Sequence, residues 1–251
     1  MKTFIYALFC FICAFMIYGC DNDDDDNGNM TSQLPDNLPD VNNATFSNST
    51  SITNNLYGPP PNEIYIYEGG EVGMEPEEEI ILERRTSTRE VMGVICIIQN
   101  DRVYVDDILI EDTDDWLAQD DDGNLWYFGE IASNYDDEGN FEDNEGSWES
   151  GVDDALAGYW LPANPIVGQK YYQEWYEDEA EDQAEVIAIG ETVTIEIGTY
   201  ENCIVTKDFT LLEPDEYELK YYAPGIGLIK EEKYEDEELT EIVELIEIIE
   251  K

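Results

Sequence analysis

From Glu63 onward, apolar and polar residues alternate in short runs bounded by turn residues, the period-two pattern of strands that bury one face. Runs rich in β-branched and aromatic residues predict strands at Ile64–Tyr67, Glu79–Thr86, Val91–Val105, Ile108–Gln119 and Asn124–Ser133. Asp106-Asp107 and Asp121–Gly123 are the expected tight turns, because Asp, Asn and Gly tolerate φ > 0. The stretch W-L-A-Q-D-D-D-G-N-L-W-Y-F-G-E, Trp116 to Glu130, then reads as a hairpin with its tip near Asp122-Gly123. Between Tyr135 and Ala163 the turn signals D-D-E-G-N, N-E-G-S and L-P-A-N-P leave short strands around Phe141 and Trp148 and a surface loop into Gly168.

Strands are expected again at Lys170–Tyr176, Ala184–Ile189, Thr192–Ile197, Cys203–Thr210, Glu218–Tyr222 and Gly227–Tyr234, with turns at Gly190-Glu191, Gly198 and Pro224-Gly225. The tail L-T-E-I-V-E-L-I-E-I-I-E fits a helical stripe through Leu239, Ile242, Val243, Ile246 and Ile249, but its Ile and Val content predicts a closing strand. About a dozen consecutive strands without βαβ alternation predict an all-β domain over residues 63–251, an antiparallel up-and-down meander curled into a barrel or half-barrel.

The N-terminal part is different in kind. Lys2 followed by an apolar run from Phe4 to Gly19 has the layout of a signal peptide over residues 1–19, too short for a membrane span. It ends I-Y-G-C, which resembles a bacterial lipobox, with Tyr18 as its departure from the pattern. The resemblance implies that Cys20 is the lipid attachment site and anchors the chain to a membrane; the alternative is a plain secretory signal. The tract D-N-D-D-D-D-N-G-N after Cys20 resembles the export signal of Bacteroidetes-type lipoproteins, implying the outer membrane, on its cell-surface or periplasmic side. Residues 20–62 are poor in apolar residues and end in Gly58-Pro59-Pro60-Pro61, which predicts a disordered tether stiffened near the domain.

Charge narrows the partners. With 61 acidic and 11 basic residues in 251, the formal charge is −50, which repels nucleic acid and anionic surfaces and favours cations. Histidine is absent, so Ser-His and Cys-His catalysis and His-ligated metal sites are excluded, leaving carboxylate chemistry and oxygen-ligated ions such as calcium. Of five cysteines, Cys96 and Cys203 fall in the domain. They are either two small buried residues or a disulfide closing a loop of about 100 residues, worth on the order of 4 kcal/mol.

Three constellations could carry chemistry. Asn134, Asp136, Glu138, Glu142 and Glu145 sit at the oxygen-ligand positions of a twelve-residue calcium loop with Gly139 at its sixth, although no helices flank it and a second acidic hairpin turned at Glu138-Gly139-Asn140 is the simpler reading. Trp116, Trp126, Trp148, Trp160 and Trp175 lie in one stretch among tyrosines and carboxylates, as a glycan-binding groove or a glycosidase requires and as a β core also requires. Asp114, Asp115 and Glu130 flank the hairpin and are the first carboxylates to test, without an assigned role.

V-Y-V-D-D-I-L-I-E-D-T-D-D-W-L-A-Q-D-D-D-G-N-L-W-Y-F-G-E (Val103–Glu130), L-P-A-N-P, G-T-Y, Leu211–Pro214 and Y-Y-A-P-G-I-G-L (Tyr221–Leu228) together resemble a set of bacterial lipoproteins and exported proteins that carry no assigned activity. More distantly, the long strands are similar to LolA- and LprG-like lipoprotein carriers, which implies a half-barrel that holds acyl chains. The expectation is a non-enzymatic binding module for an apolar or amphiphilic ligand, without a cofactor unless calcium binds. The alternatives are a glycan-binding or glycosidic surface lipoprotein and a calcium-dependent structural cell-surface protein.

Overall fold

A computed structural model describes residues Leu34 to Lys251. The expected signal peptide, Cys20 and the acidic tract lie outside the described residues. The strands are β1 (Glu63–Glu71), β2 (Glu78–Val91), β3 (Val94–Val105), β4 (Ile108–Gln119), β5 (Leu125–Tyr135), β6 (Phe141–Asp143), β7 (Trp148–Glu149), β8 (Leu156–Leu161), β9 (Lys170–Tyr172), β10 (Glu174–Trp175), β11 (Asp182–Ile195), β12 (Gly198–Thr210), β13 (Glu216–Ala223), β14 (Gly227–Glu235) and β15 (Glu238–Glu250). All pair antiparallel in the order β10-β8-β5-β4-β3-β2-β1-β15-β14-β13-β12-β11-β9, with β6 and β7 on β5. The predicted meander therefore forms, as a nearly closed barrel. The tail is a strand, set between β1 and β14.

Asp106 and Asp107, at φ 53° and 67°, make the β3–β4 turn as expected. Two other turns differ from expectation. The run expected as one strand from Val91 is broken at Met92 and Gly93, whose φ values of 51° and 81° reverse the chain between β2 and β3. Gly190, expected in a turn, lies inside β11, where the register shifts between Ile189 and Glu191; its φ of 88° absorbs a bulge. Three such shifts bend the β11–β12 hairpin so that Val193, Ile195 and Cys203 join a cluster with Tyr65, Ile229 and Leu245.

The wall closes at residues 170–175. The first half of this segment, β9, pairs with β11 through Lys170, Tyr171 and Tyr172, and the second half, β10, pairs with β8 through Glu174 and Trp175. The change of side is at Gln173, whose N–H donates to the Asp182 carbonyl at 2.7 Å. Gly158 permits it, since a Cβ there would lie 2.3 Å from the Tyr172 carbonyl oxygen.

The tether expected to run to residue 62 is corrected over residues 34–62, which dock on the barrel. Val41, Ala44 and Phe46 cover Trp116, Trp126 and Phe128 on the outer face, and Ile52, Leu56 and Tyr57 pack with Ile97, Leu117 and Tyr222. Between them the Gln119 carboxamide oxygen accepts from the N–H groups of Thr53 (2.7 Å) and Asn54 (2.8 Å), and Ser49 Oγ donates to the Ile95 carbonyl (2.6 Å). A few apolar anchors suffice because the outer face of β3–β5 and the inward cluster around Ile97 and Leu117 are themselves apolar, which the composition of the segment cannot reveal.

Candidate functional site: a carboxyl belt inside the barrel

Strand alternation sends every second side chain inward. Along β3 the inward series is Ile97, Gln99, Asp101, Val103, and along β4 it includes Leu117, Asp115, Thr113 and Glu111. Ile97 and Leu117 belong to one apolar cluster and Val103 to another, so polar residues occupy the space between. Asp101 is 1 % exposed, Glu111 1 % and Asp115 0 %.

On this side of the belt, Tyr127 Oη lies 2.9 Å from Asp115 Oδ1 and 2.8 Å from Glu130 Oε2. A phenol has one hydrogen, so it donates to one carboxyl at a time. Gln99 Nε2 donates to Asp115 Oδ2 (3.3 Å) and Thr113 Oγ1 to Glu111 Oε1 (2.7 Å). Across the barrel, the Lys220 ammonium lies 3.1 Å from Glu218 and 3.7 Å from both Asp208 and Glu231. Burial alone would favour neutral lysine, but Glu218, Glu231 and Asp208 outweigh it and hold its pKa above the ordinary value.

Acceptors exceed donors. Asp101 Oδ1, Glu111 Oε2 and Asp182 Oδ1 are buried without a hydrogen-bond partner. A buried carboxylate without compensation is costly, and the group responds by holding a proton. Burial, then Asp115, Glu111 and Glu231, push Asp101 well above the ordinary carboxyl range. Burial raises Glu111 to about 7 against the opposing bond from Thr113. Burial and Glu218 likewise raise Glu231. The belt can thus store protons or accept bonds from a donor-rich guest. Among the described residues no three His, Cys, Asp or Glu side chains form a metal-binding group.

The residues singled out in the sequence are distributed as follows. Asp115 and Glu130 meet through Tyr127, while Asp114 pairs with Arg85 at 2.6 Å. Trp116, Trp126 and Trp148 are buried in the core, Trp160 packs edge-on to Tyr127, and Trp175 packs edge-on to Tyr172. Trp116, Trp126 and Trp148 thus serve packing, while Trp160 and Trp175 stay half-buried. Asn134, Asp136, Glu138, Glu142 and Glu145 lie in the β5–β6 hairpin and the turn after it. There Asp136 Oδ1 accepts from the N–H groups of Glu138 (2.9 Å) and Asn140 (2.8 Å), and Asp143 Oδ1 accepts from Asn134 Nδ2 (2.8 Å) and the Glu145 N–H (3.1 Å). Both carboxylates are committed to turns. Cys96 and Cys203 are free thiols in separate clusters, so the disulfide reading is corrected.

Sequence reasoning missed Asp101, Glu111, Glu174, Asp182, Asp208, Lys220 and Glu231. The one available signal was phase: once Ile97 and Val103 fix the inward positions of β3, Gln99 and Asp101 fall on them.

No family model matches the chain, and no curated protein matches it. Three solved structures are similar in architecture. One is a candidate exported protein with a YmcC-like fold from Bacteroides fragilis (14 % identity, 82 % of this chain and 100 % of that one, TM-score 0.44). The second is a candidate lipoprotein from Parabacteroides distasonis (12 % identity, 82 % and 99 %, TM-score 0.45). The third is a β-barrel-like domain of unknown function from Brucella abortus (9 % identity, 76 % and 98 %, TM-score 0.43). Similarity at this level assigns this chain no activity, ligand or location.

Proposed function

We propose that this chain is an exported lipoprotein, anchored to the outer membrane through Cys20, whose barrel is a non-enzymatic binding module for an amphiphilic guest. The anchor rests on the I-Y-G-C sequence at the end of the signal-peptide pattern. The guest reading rests on one observation: apolar clusters flank a belt in which buried carboxyl oxygens lack donors. An apolar body would sit against the clusters, and ammonium, hydroxyl or amide groups would supply the missing hydrogens.

Native mass spectrometry of the exported protein carrying Cys20→Ala, repeated under denaturing conditions, tests the guest. A mass excess that vanishes on denaturation and is identified as a donor-bearing amphiphile is the expected result. An unliganded mass, with no stabilisation by any amphiphile panel, would overturn it, because a guest that binds only the folded state must raise the Tm. For the anchor, wild type should partition with membranes and Cys20→Ala should not.

A further inference from the structure

The backbone ladders that close the wall are short. β9 holds β11 through three residue pairs and β10 holds β8 through two, whereas β3 and β4 share nine. At this seam two carboxyl groups meet. Glu174 of β10 and Asp182 of β11 are each 3 % exposed, and the bond from the Gln173 N–H to the Asp182 carbonyl (2.7 Å) sets the adjacent Glu174 beside Asp182, where each carboxyl acts on the other's proton. Two carboxylates have no hydrogen to share, so the contact is attractive only while one of them carries a proton.

We propose that Glu174 and Asp182 form a proton-held latch on the barrel seam, closed while the pair shares a proton and released when that proton is lost. The latch goes beyond the guest reading and would operate in a barrel that takes no guest. Its surroundings favour the proton. Glu174 faces Glu130 of β5 and Asp115 of β4, and Asp182 faces Asp208 of β12 and Glu218 and Lys220 of β13. Burial raises the Glu174 pKa first, and Asp182, Glu130 and Asp115 add to it. Burial also raises Asp182, against the bond from Glu174 and the Lys220 charge, which lower it. Carboxyl groups raised in the folded state bind protons more tightly there than in the unfolded chain. Their stabilisation is therefore complete in mild acid, near the ordinary carboxyl value of about 4, and is lost as pH rises through the raised values. When both groups are ionised, repulsion acts across two ladders of two and three pairs.

The test is hydrogen exchange on the full exported chain from about pH 5.5 to about pH 9, corrected for the intrinsic rate, with β1–β15 amides as the internal reference. Protection over residues 170–186 and 156–161 should fall with rising pH by about tenfold more than the reference does. In Glu174→Gln the amide donates to Asp182 at every pH, so the extra fall should disappear while the seam stays protected. Asp182→Asn serves the same purpose if that variant does not fold. Glu111→Gln, a buried carboxyl away from the seam, should keep the wild-type response. A wild-type seam that tracks the reference, an unchanged pH response in Glu174→Gln, or the same flattening in Glu111→Gln would each overturn the latch.

Discussion

Removing the Phe46 ring tests whether residues 34–62 belong to the folded barrel. Phe46 meets Trp126 edge-on at 6.0 Å and 68°, and Phe128 at 5.6 Å and 70°. Each such pair contributes about 1 kcal/mol beyond area burial, and withdrawing a half-buried ring from water adds about 1 kcal/mol more. Phe46→Ala should therefore destabilise the protein by about 3 kcal/mol. At about 2–4 °C per kcal/mol for a domain of this size, the Tm falls by roughly 6–12 °C. Thermal and urea unfolding followed by tryptophan fluorescence read this directly, since the ring covers Trp126. Phe141→Ala is the comparison, because that ring is 56 % exposed and makes one edge contact, with Tyr135 at 6.0 Å, so its loss should cost about 1 kcal/mol. If the two variants melt together, or if protease cleaves residues 41–57 in the native protein as fast as in a peptide, the docked strap is refuted.

Further outcomes follow from the interior. Lys220→Met leaves Asp208, Glu218 and Glu231 without their cation and should destabilise by about 3–5 kcal/mol in urea at mildly alkaline pH, with the loss shrinking in acid as the carboxyls take up protons. Gly129→Ala places a Cβ 2.4 Å from the Trp148 carbonyl oxygen at a φ of 126°, and should cost at least about 2 kcal/mol or prevent folding, measured by yield and Tm. Burial pushes the Cys96 thiol up to about 12 and raises Cys203 as well, so a thiol reagent should modify neither in the native state and both after unfolding. A mass two hydrogens short of the dithiol would contradict this.

The fold was legible wherever local chemistry decides it. Asp106-Asp107 had to turn, and the Ile and Val content of Glu238–Glu250 had to favour a strand over the helical stripe that fits equally well. The errors came where tertiary structure decides. Met92-Gly93 sits in an apolar run that reads as unbroken, and only the partner strand shows that the chain reverses there. Gly190 bears a turn residue's signature, yet a bulge uses the same φ without reversing the chain. The strap was hidden because sparse apolar residues dock only if apolar surface of the barrel awaits them. The belt was hidden for a different reason: among 61 acidic residues, nothing marks the few that point inward until strand phase and neighbours are known. Asp115 and Glu130 were singled out by position beside the hairpin, and their meeting through Tyr127 spans a bulge between Asp115 and Leu117 that alternation does not anticipate.

The β1–β15 ladder, from Glu63↔Glu250 to Glu71↔Glu241, joins strands far apart in the chain, and β15 is a central strand. Synthesis therefore cannot complete the barrel progressively. Until β15 has been made, β1 and β14 are both open edges, and only the short ladders of β9 and β10 and the packing of the interior join the half-sheets. Such long-range closure is slow to form and costs loop entropy before it returns any stability. If the chain is exported unfolded, as proposed, that delay would keep it threadable until β15 has emerged; truncation within β15 would break the hydrogen-bonded path between β1 and β14 instead of trimming a margin.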